Sequence, residues 1–484
     1  MKELPIHIQL DPKSDTTLYE QIYEYIRDEI RAGNLLKNEK LPSTRFLAEY
    51  LQVSRTTVDM AYEQLVLEGY VEARARRGYF VSTFEEMYAL GEAVNAKTHK
   101  PKESNGQPVW RYDFSPNAID MRYFPYATWK KITKSILVDA NSKMFSLGEP
   151  QGDLQLRTTI CRYLHGSRGV NCEPEQIIIG AGNDYLLLLL EKILGRHIHV
   201  AMENPTYVRA YKIFQSCAYP VSLLPMDESG MKVDCLRQTD AQVAYVMPSH
   251  QYPTGVSMPI GRRMELLKWA SEEQGRYLIE DDYDSEFRYK GKPIPSLQAS
   301  DTDGRVVYIG TFSKAIAPAI RISYMVLPYP LLERYRSRCS FYSSTVSRID
   351  QTILNEFIRD GYFERYLNKM RKLYREKHDL ILNVLKPFEK DFRISGSNAG
   401  LHIIMTDKQR RAEEDLARMA ADVKVKVYRM QDFRMKNLEP NNGGTENVGN
   451  MQTDEPAMLI LGYAALTPEE IREGTALLKK VWIP

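Results

Sequence analysis

A strand-like run over residues 305–310 ends in Thr311-Phe312-Ser313-Lys314, and Arg321 follows one short loop later. A lysine at the mouth of a strand is placed to form a Schiff base with a carbonyl compound. The Thr311 and Ser313 hydroxyls and the Arg321 guanidinium are what a phosphorylated aldehyde needs beside it, and pyridoxal phosphate is the cofactor of that description. Four further strand-like runs end in polar or glycine-rich segments. Residues 176–179 lead into Gly180-Ala181-Gly182-Asn183, residues 197–202 into Tyr207, residues 243–247 into a Pro-Ser-His-Gln-Tyr-Pro-Thr-Gly segment, and residues 276–280 into Asp281-Asp282-Tyr283.

Each group has a task if that cofactor binds. Asp281 would keep the pyridine nitrogen protonated, Tyr283 would bond the ring hydroxyl, and Tyr207 would stack on the ring. Gly182, Asn183, Ser313 and Arg321 would hold the phosphate, the glycine letting backbone approach it at a helix N-terminus. Ligands of α/β sheets gather at the carboxyl ends of the strands, so five such ends predict one cofactor site. His250 and His402 lack metal-ligand spacing and read as structural groups.

The amino-terminal eighty residues are patterned differently. Leu18, Ile22, Ile26 and Ile30 form one stripe of a helix over residues 17–32. Ser43 caps a second helix with Phe46, Leu47, Tyr50 and Leu51 as its expected apolar face. Ser54 caps a third, whose first turn is Arg55-Thr56-Thr57 and whose inward residues are Val58, Tyr62 and Leu65. Residues 70–81 then read as a hairpin with an Arg76-Arg77-Gly78 tip. A helix that enters the major groove does so with its N-terminal residues, and a hairpin wing touches backbone or minor groove. This region holds 11 Lys+Arg against 13 Asp+Glu over residues 1–80, so distribution, not net charge, carries the nucleic-acid argument. Arg45, Arg55, Arg74, Arg76 and Arg77 fall in the parts expected to face DNA.

The chain has 484 residues and a net charge of +2, enough for two or three domains. Residues 82–110 lose periodicity and read as a linker; residues 439–454 read as an insertion. Five scattered cysteines without a C-x-x-C pair argue against disulfides and against a metal site. The first ten residues lack a signal-peptide pattern and the densest apolar run is too short to span a bilayer, so a cytoplasmic protein with no membrane partner is expected.

Two resemblances follow from these residues. Leu41-Pro42-Ser43-Thr44-Arg45-Phe46-Leu47-Ala48, Val53-Ser54-Arg55-Thr56-Thr57-Val58 and Arg77-Gly78-Tyr79-Phe80-Val81 resemble the winged helix of GntR-type bacterial regulators. That likeness implies DNA contacts at Arg45, Ser54, Arg55, Thr56, Thr57, Arg77 and Gly78. Pro253-Thr254-Gly255, Asp281 with Tyr283, Ser313-Lys314 and Arg321 resemble fold-type I aminotransferases over residues 111–484. Together they resemble the MocR/GabR-type regulators. The expected fold is multidomain: an α+β winged helix-turn-helix over 1–81, a linker over 82–110, and an α/β pyridoxal phosphate-dependent transferase domain with a large and a small part over 111–484. The resemblance implies a head-to-tail homodimer acting on a double-stranded DNA operator and sensing an amine, amino acid or related small molecule through Lys314.

Two departures bear on the effector. Tyr252 stands where aminotransferases place asparagine, and the segment 459–466 lacks the small-domain arginine that binds a substrate carboxylate. Asp432 occupies the position where GabR-like chains have arginine, and an aspartate there repels a carboxylate, which disfavours 4-aminobutyrate. Arg209, Arg122 and Arg429 remain as carboxylate clamps. Two rival readings stay open: a working aminotransferase, and a sensor of pyridoxal phosphate itself that controls cofactor synthesis.

Overall fold

The computed structural model describes residues 8–14, 16–82, 109–138, 142–289, 294–396, 399–436 and 456–483. It divides into two compact units, Met1–Pro108 and Val109–Pro484. Most of the expected linker and the whole of the expected insertion at 439–454 lie outside the described residues. Among the described residues no helix is long and apolar enough to cross a membrane.

The first unit is three helices, α1 (Leu18–Arg31), α2 (Thr44–Leu51) and α3 (Arg55–Leu67), followed by an antiparallel hairpin of β1 (Val71–Arg74) and β2 (Gly78–Val81). Thr17 and Glu20 form a capping box on α1, while the Ser43 and Ser54 hydroxyls accept from Phe46 N and Thr57 N at 3.2 and 3.1 Å. Ile22, Ile26, Leu47, Val58, Tyr62, Leu65 and Val81 close a single core. The expected face of α2 needs correction: Phe46 and Tyr50 are 48% and 47% exposed, and the helix buries Thr44, Leu47 and Ala48 instead. That spacing of i, i+3, i+4 is the stripe a helix presents to a core, whereas Phe46 and Tyr50 lie beside it. Ile26 is fully buried in this core, and truncating it to alanine is expected to destabilise the unit by ~2–5 kcal/mol, read from chemical denaturation.

The second unit is built on an eight-stranded sheet. Its spatial order is Ile177–Gly180, Ser323–Val326, Val306–Thr311, Tyr277–Asp282, Val243–Val246, Val200–Asn204, Val221–Asp227 and Gly230–Met231. Five neighbours, from Val306–Thr311 to Val221–Asp227, are mutually parallel. Ser323–Val326 runs against both of its neighbours, so Ile177–Gly180 returns to the common direction. The central strands are buried almost without interruption, the mark of a sheet covered on both faces, with helices such as Asn183–Leu194 and Ile260–Glu272 as the cover. The five strands whose ends the sequence singled out therefore deliver those ends to one edge.

A smaller antiparallel sheet, in the order Phe392–Ser395, His402–Asp407, Met458–Gly462 and Tyr428–Arg429, packs with the helices Tyr362–Leu385, Glu413–Asp422 and Pro468–Trp482. Trp482 is fully buried against Phe388 and Phe392. The segment 433–435 leads back to the large sheet: Thr206 N donates to the Phe433 carbonyl at 2.9 Å, and Asn204 Nδ2 to that of Met435 at 3.0 Å.

Candidate functional site

The cleft at the carboxyl edge of the large sheet, about 750 Å³ with its open mouth, is where the strand ends converge. Its chemistry rests on Lys314. The lysine follows Val306–Thr311, is largely buried, and its Nζ donates to the Pro116 carbonyl at 2.8 Å. Burial pulls its ammonium down to about 8, with the Asp284 carboxylate acting in the opposite sense. Uptake of a carbonyl compound by the amine is therefore expected to accelerate as pH rises through about 8, a profile stopped-flow absorbance would read.

Period-two alternation sorts the three carboxylates of the strand Tyr277–Asp282. Asp281 faces the cleft, whereas Glu280 accepts from Leu297 N and Gln298 N, and Asp282 pairs with Arg168 at 2.7 Å. Asp281 is buried and accepts from Asn183 Nδ2 at 2.8 Å and from the Tyr245 hydroxyl. Burial lifts its carboxyl to about 6, against the pull of the Tyr245 and Asn183 hydrogen bonds, which leaves it mostly ionised at pH 7. A cation facing it from the cleft would favour that charge further.

Tyr283 is tied to a buried His–Asp pair. His250 Nδ1 lies 2.8 Å from the Tyr283 hydroxyl and 3.0 Å from the Asp284 carboxylate. Because an ionised carboxylate only accepts, the ring proton belongs on Nδ1, and the Tyr283 oxygen accepts from the same N–H. Burial pushes the Tyr283 phenol up, and the Asp284 carboxylate acts in the same sense, so the phenol retains its own proton. His402 completes the cluster with Nε2 2.9 Å from the Pro253 carbonyl; burial and His250 push its imidazolium down to about 3. Tyr252 is buried among the rings of Tyr207, Tyr283, His402 and Phe433.

At the other end of the cleft Gly182, at φ +92°, caps the helix Asn183–Leu194. A Cβ there would collide with the Arg321 guanidinium, so the glycine is what lets the two approach. Arg321 bonds Asp184 at 3.2 Å, and Asp184 also holds Arg209 at 3.2 Å. Thr311 Oγ1 accepts from Ser323 Oγ at 2.8 Å and from Ser313 N at 3.1 Å.

The cleft thus brings together Lys314, Asp281, Tyr283, Tyr207, Asn183, Ser313, Arg321 and Arg209, with Gly182 at its helix cap. The Asn183 amide nitrogen is engaged with Asp281, and its Oδ1, buried without a partner among the described residues, can only accept, so its contribution to an anion site is its backbone at the helix start. Neither Arg122 nor Arg429 is among the described residues lining the cleft: Arg122 bonds Asp120, which Lys377 also holds at 2.6 Å, and Arg429 bonds Asp432 at 2.6 Å. Sequence reasoning missed Tyr245, Asp184 and Asn117. Tyr245 was legible in principle, since the register pairs it with Ile279, placing its side chain two positions from Asp281 on the same face.

In the first unit Arg45 and Arg55 are exposed, at 82% and 68% of their side chains, and among the described residues they pair with the i+4 carboxylates Glu49 and Asp59. Ser54 caps α3 beside exposed Thr56 and half-buried Thr57; Arg77 and Gly78 are exposed at the hairpin tip, with Gly78 at φ +101°. Arg74 departs from expectation: its guanidinium lies 4.6 Å from the Phe80 ring centre and bonds Asn38 at 2.7 Å, holding the wing rather than projecting from it.

Residues 18–81 match the bacterial regulatory proteins of the gntR family, and residues 117–445 match aminotransferase class I and II. The HTH-type transcriptional regulator YdeL of Bacillus subtilis is 38% identical over 97% of both chains. The probable rhizopine catabolism regulatory protein MocR of Rhizobium meliloti is 30% identical over 98% of this chain and 95% of its own. This chain belongs to the MocR-type transcriptional regulators. Among solved structures, an archaeal alanine:glyoxylate aminotransferase superposes with a TM-score of 0.67 at 24% identity, covering 78% of this chain and 91% of its own, which shows the fold of the second unit.

Pyridoxal phosphate is the cofactor of this fold family, and the residues of this MocR-type chain fit it. Among the described residues Ser313 Oγ is buried without a hydrogen-bond partner, Gly182 lets the Arg321 guanidinium come close against the helix start, and Lys314, Asp281 and Arg321 are an amine, an acid and a guanidinium lining one cleft. When bound, the cofactor supplies an electron sink for amines joined to its aldehyde carbon.

Proposed function

We propose that this MocR-type regulator acts in the cytoplasm as a head-to-tail homodimer whose aminotransferase-like unit holds pyridoxal phosphate at Lys314 and senses an amine, an amino acid or a related small molecule there. The observation that carries the reading is the Lys314 amine: it is largely buried, drawn down to about 8 and flanked by Asp281, Tyr283 and Arg321 in one cleft. Asp281 would orient the ring from the Tyr245 and Asn183 side, Tyr283 would donate to the ring oxygen, and Gly182, Ser313, Arg321 and the N-terminus of Asn183–Leu194 would bind the phosphate. Tyr207 would cover one ring face. Arg209 is the second guanidinium lining the cleft, beside Arg321, and would serve an effector carboxylate once its bond to Asp184 gave way.

Arg45, Ser54, Arg55, Thr56, Thr57, Arg77 and Gly78 would meet the operator. Replacing exposed Arg55 by alanine is expected to weaken specific DNA binding by about 1–3 kcal/mol with little effect on the fold. Fluorescence anisotropy against operator and scrambled DNA would check it.

The reading is tested by the visible absorption of the purified protein during titration with amines, amino acids and small peptides. A compound that shifts the cofactor band and holds it shifted is the expected effector. Bleaching that a 2-oxo acid reverses would instead make the protein an aminotransferase.

A further inference from the structure

Cys161, His165 and Cys172 meet on the large-domain side of the second unit, and none is among the described residues lining the cofactor cleft. Cys161 and His165 stand four residues apart on the helix Leu154–Arg168, hence on one face. Gly169, at φ +66°, ends that helix and turns the chain so that Cys172 comes back against it. The Cys161 sulfur lies 3.8 Å from His165 Nε2, and the three donor atoms all fall within 4.8 Å of one another. Both sulfurs belong to buried residues, whereas the imidazole is exposed and leads to solvent.

We propose that these three side chains form a binding site for a thiophilic divalent cation, Zn²⁺ being the ion of matching chemistry. Zinc takes sulfur at roughly 2.3 Å and imidazole nitrogen at roughly 2.0–2.1 Å, so its tetrahedral ligands sit about 3.5–3.8 Å apart. A closure of roughly 1 Å or less brings all three donors onto one ion. Two thiolates and an imidazole favour zinc over magnesium or calcium, which take oxygen. Two of the donors meet at the Cys172 carbonyl, 3.1 Å from the Cys161 sulfur and 2.8 Å from His165 Nε2. Metal binding would break these contacts, send the two thiol protons to solvent and leave a fourth position to water. Cys172 precedes the strand Ile177–Gly180, whose end carries Gly182, so the ion would tie the helix to the strand that feeds the phosphate end of the cleft. The Cys-x3-His-x6-Cys spacing contains no C-x-x-C pair, which is why the cysteine pattern pointed away from a metal.

The test uses the full chain, reduced and freed of metal, titrated with Co²⁺ as a spectroscopic probe. One Co²⁺ per chain is expected, with a sulfur-to-cobalt charge-transfer band that Zn²⁺ abolishes by displacement. Cys172→Ser should remove the band. His165→Ala, at an exposed position where folding is not at stake, should weaken binding by on the order of tenfold or more, since loss of even an outer partner of a metal ligand costs that much. Absence of the band in the wild-type protein would overturn the site. So would equal binding in His165→Ala, which would move the metal to Cys217, Cys235 or Cys339.

Discussion

Lys314→Ala is expected to release pyridoxal phosphate on gel filtration and lose its visible absorption, with DNA binding retained and the response to effector gone. The remaining contacts at Asp281, Ser313 and Arg321 are non-covalent, and a weakening on the order of a hundredfold, ~2.8 kcal/mol, is enough to lose the cofactor on a column. A second effect separates this lysine from an ordinary one. Its ammonium is drawn from 10.5 to about 8 by burial, so the apo-protein binds fewer protons folded than unfolded between those values. The folded apo-protein therefore carries the full penalty below about pH 8, and the penalty fades as pH rises towards 10.5. Relative to Lys314→Ala, wild-type apo-protein should gain up to about 3 kcal/mol in unfolding free energy between pH 7 and pH 10. Comparing the two proteins at both pH values cancels the packing lost with the lysine stem.

Asp281→Ala is expected to cost about 2–5 kcal/mol in cofactor affinity, roughly thirtyfold to several thousandfold. The carboxylate is buried, and Tyr245 and Asn183 aim their donors at it, so its removal leaves both without their acceptor while the charge that faces the cofactor disappears. Asp281→Asn keeps the shape and one acceptor oxygen and should lose less. Fluorescence titration of apo-protein with pyridoxal phosphate separates the two variants; equal affinities for both and for wild type would remove Asp281 from the site.

Much of this was legible in the sequence because strand-end chemistry is local. Thr311-Phe312-Ser313-Lys314 and Asp281-Asp282-Tyr283 each carry their meaning within a few residues, and the parallel sheet, predicted from alternating strands and helices, brings those ends to one edge. The caps Ser43 and Ser54 were visible for the same reason. What escaped depends on contacts between distant segments. Tyr245 reaches Asp281 across 36 positions, and Lys314 meets the Pro116 carbonyl across 198. Phe46 and Tyr50 misled because hydrophobicity alone does not tell a core face from an exposed one on an eight-residue helix, where Thr44 and Ala48 fill the inward stripe. Arg122 and Arg429 were chosen by residue type, and each proves to be occupied by an aspartate nearby in sequence.

The proposed regulator works only if occupancy at Lys314 is coupled to DNA binding. An effector transmits nothing unless it binds two states of the protein differently, and coupling of typical size, about 1–3 kcal/mol, alters DNA affinity by roughly 5–150-fold. The direct measurement is operator affinity of the holo-protein by anisotropy, at fixed salt, with and without the compound that shifts the cofactor band, repeated on Lys314→Ala. The coupling requires a shift of at least about fivefold in the wild-type protein and none in the variant. Equal operator affinity with and without that compound, or the same shift in Lys314→Ala, would contradict it.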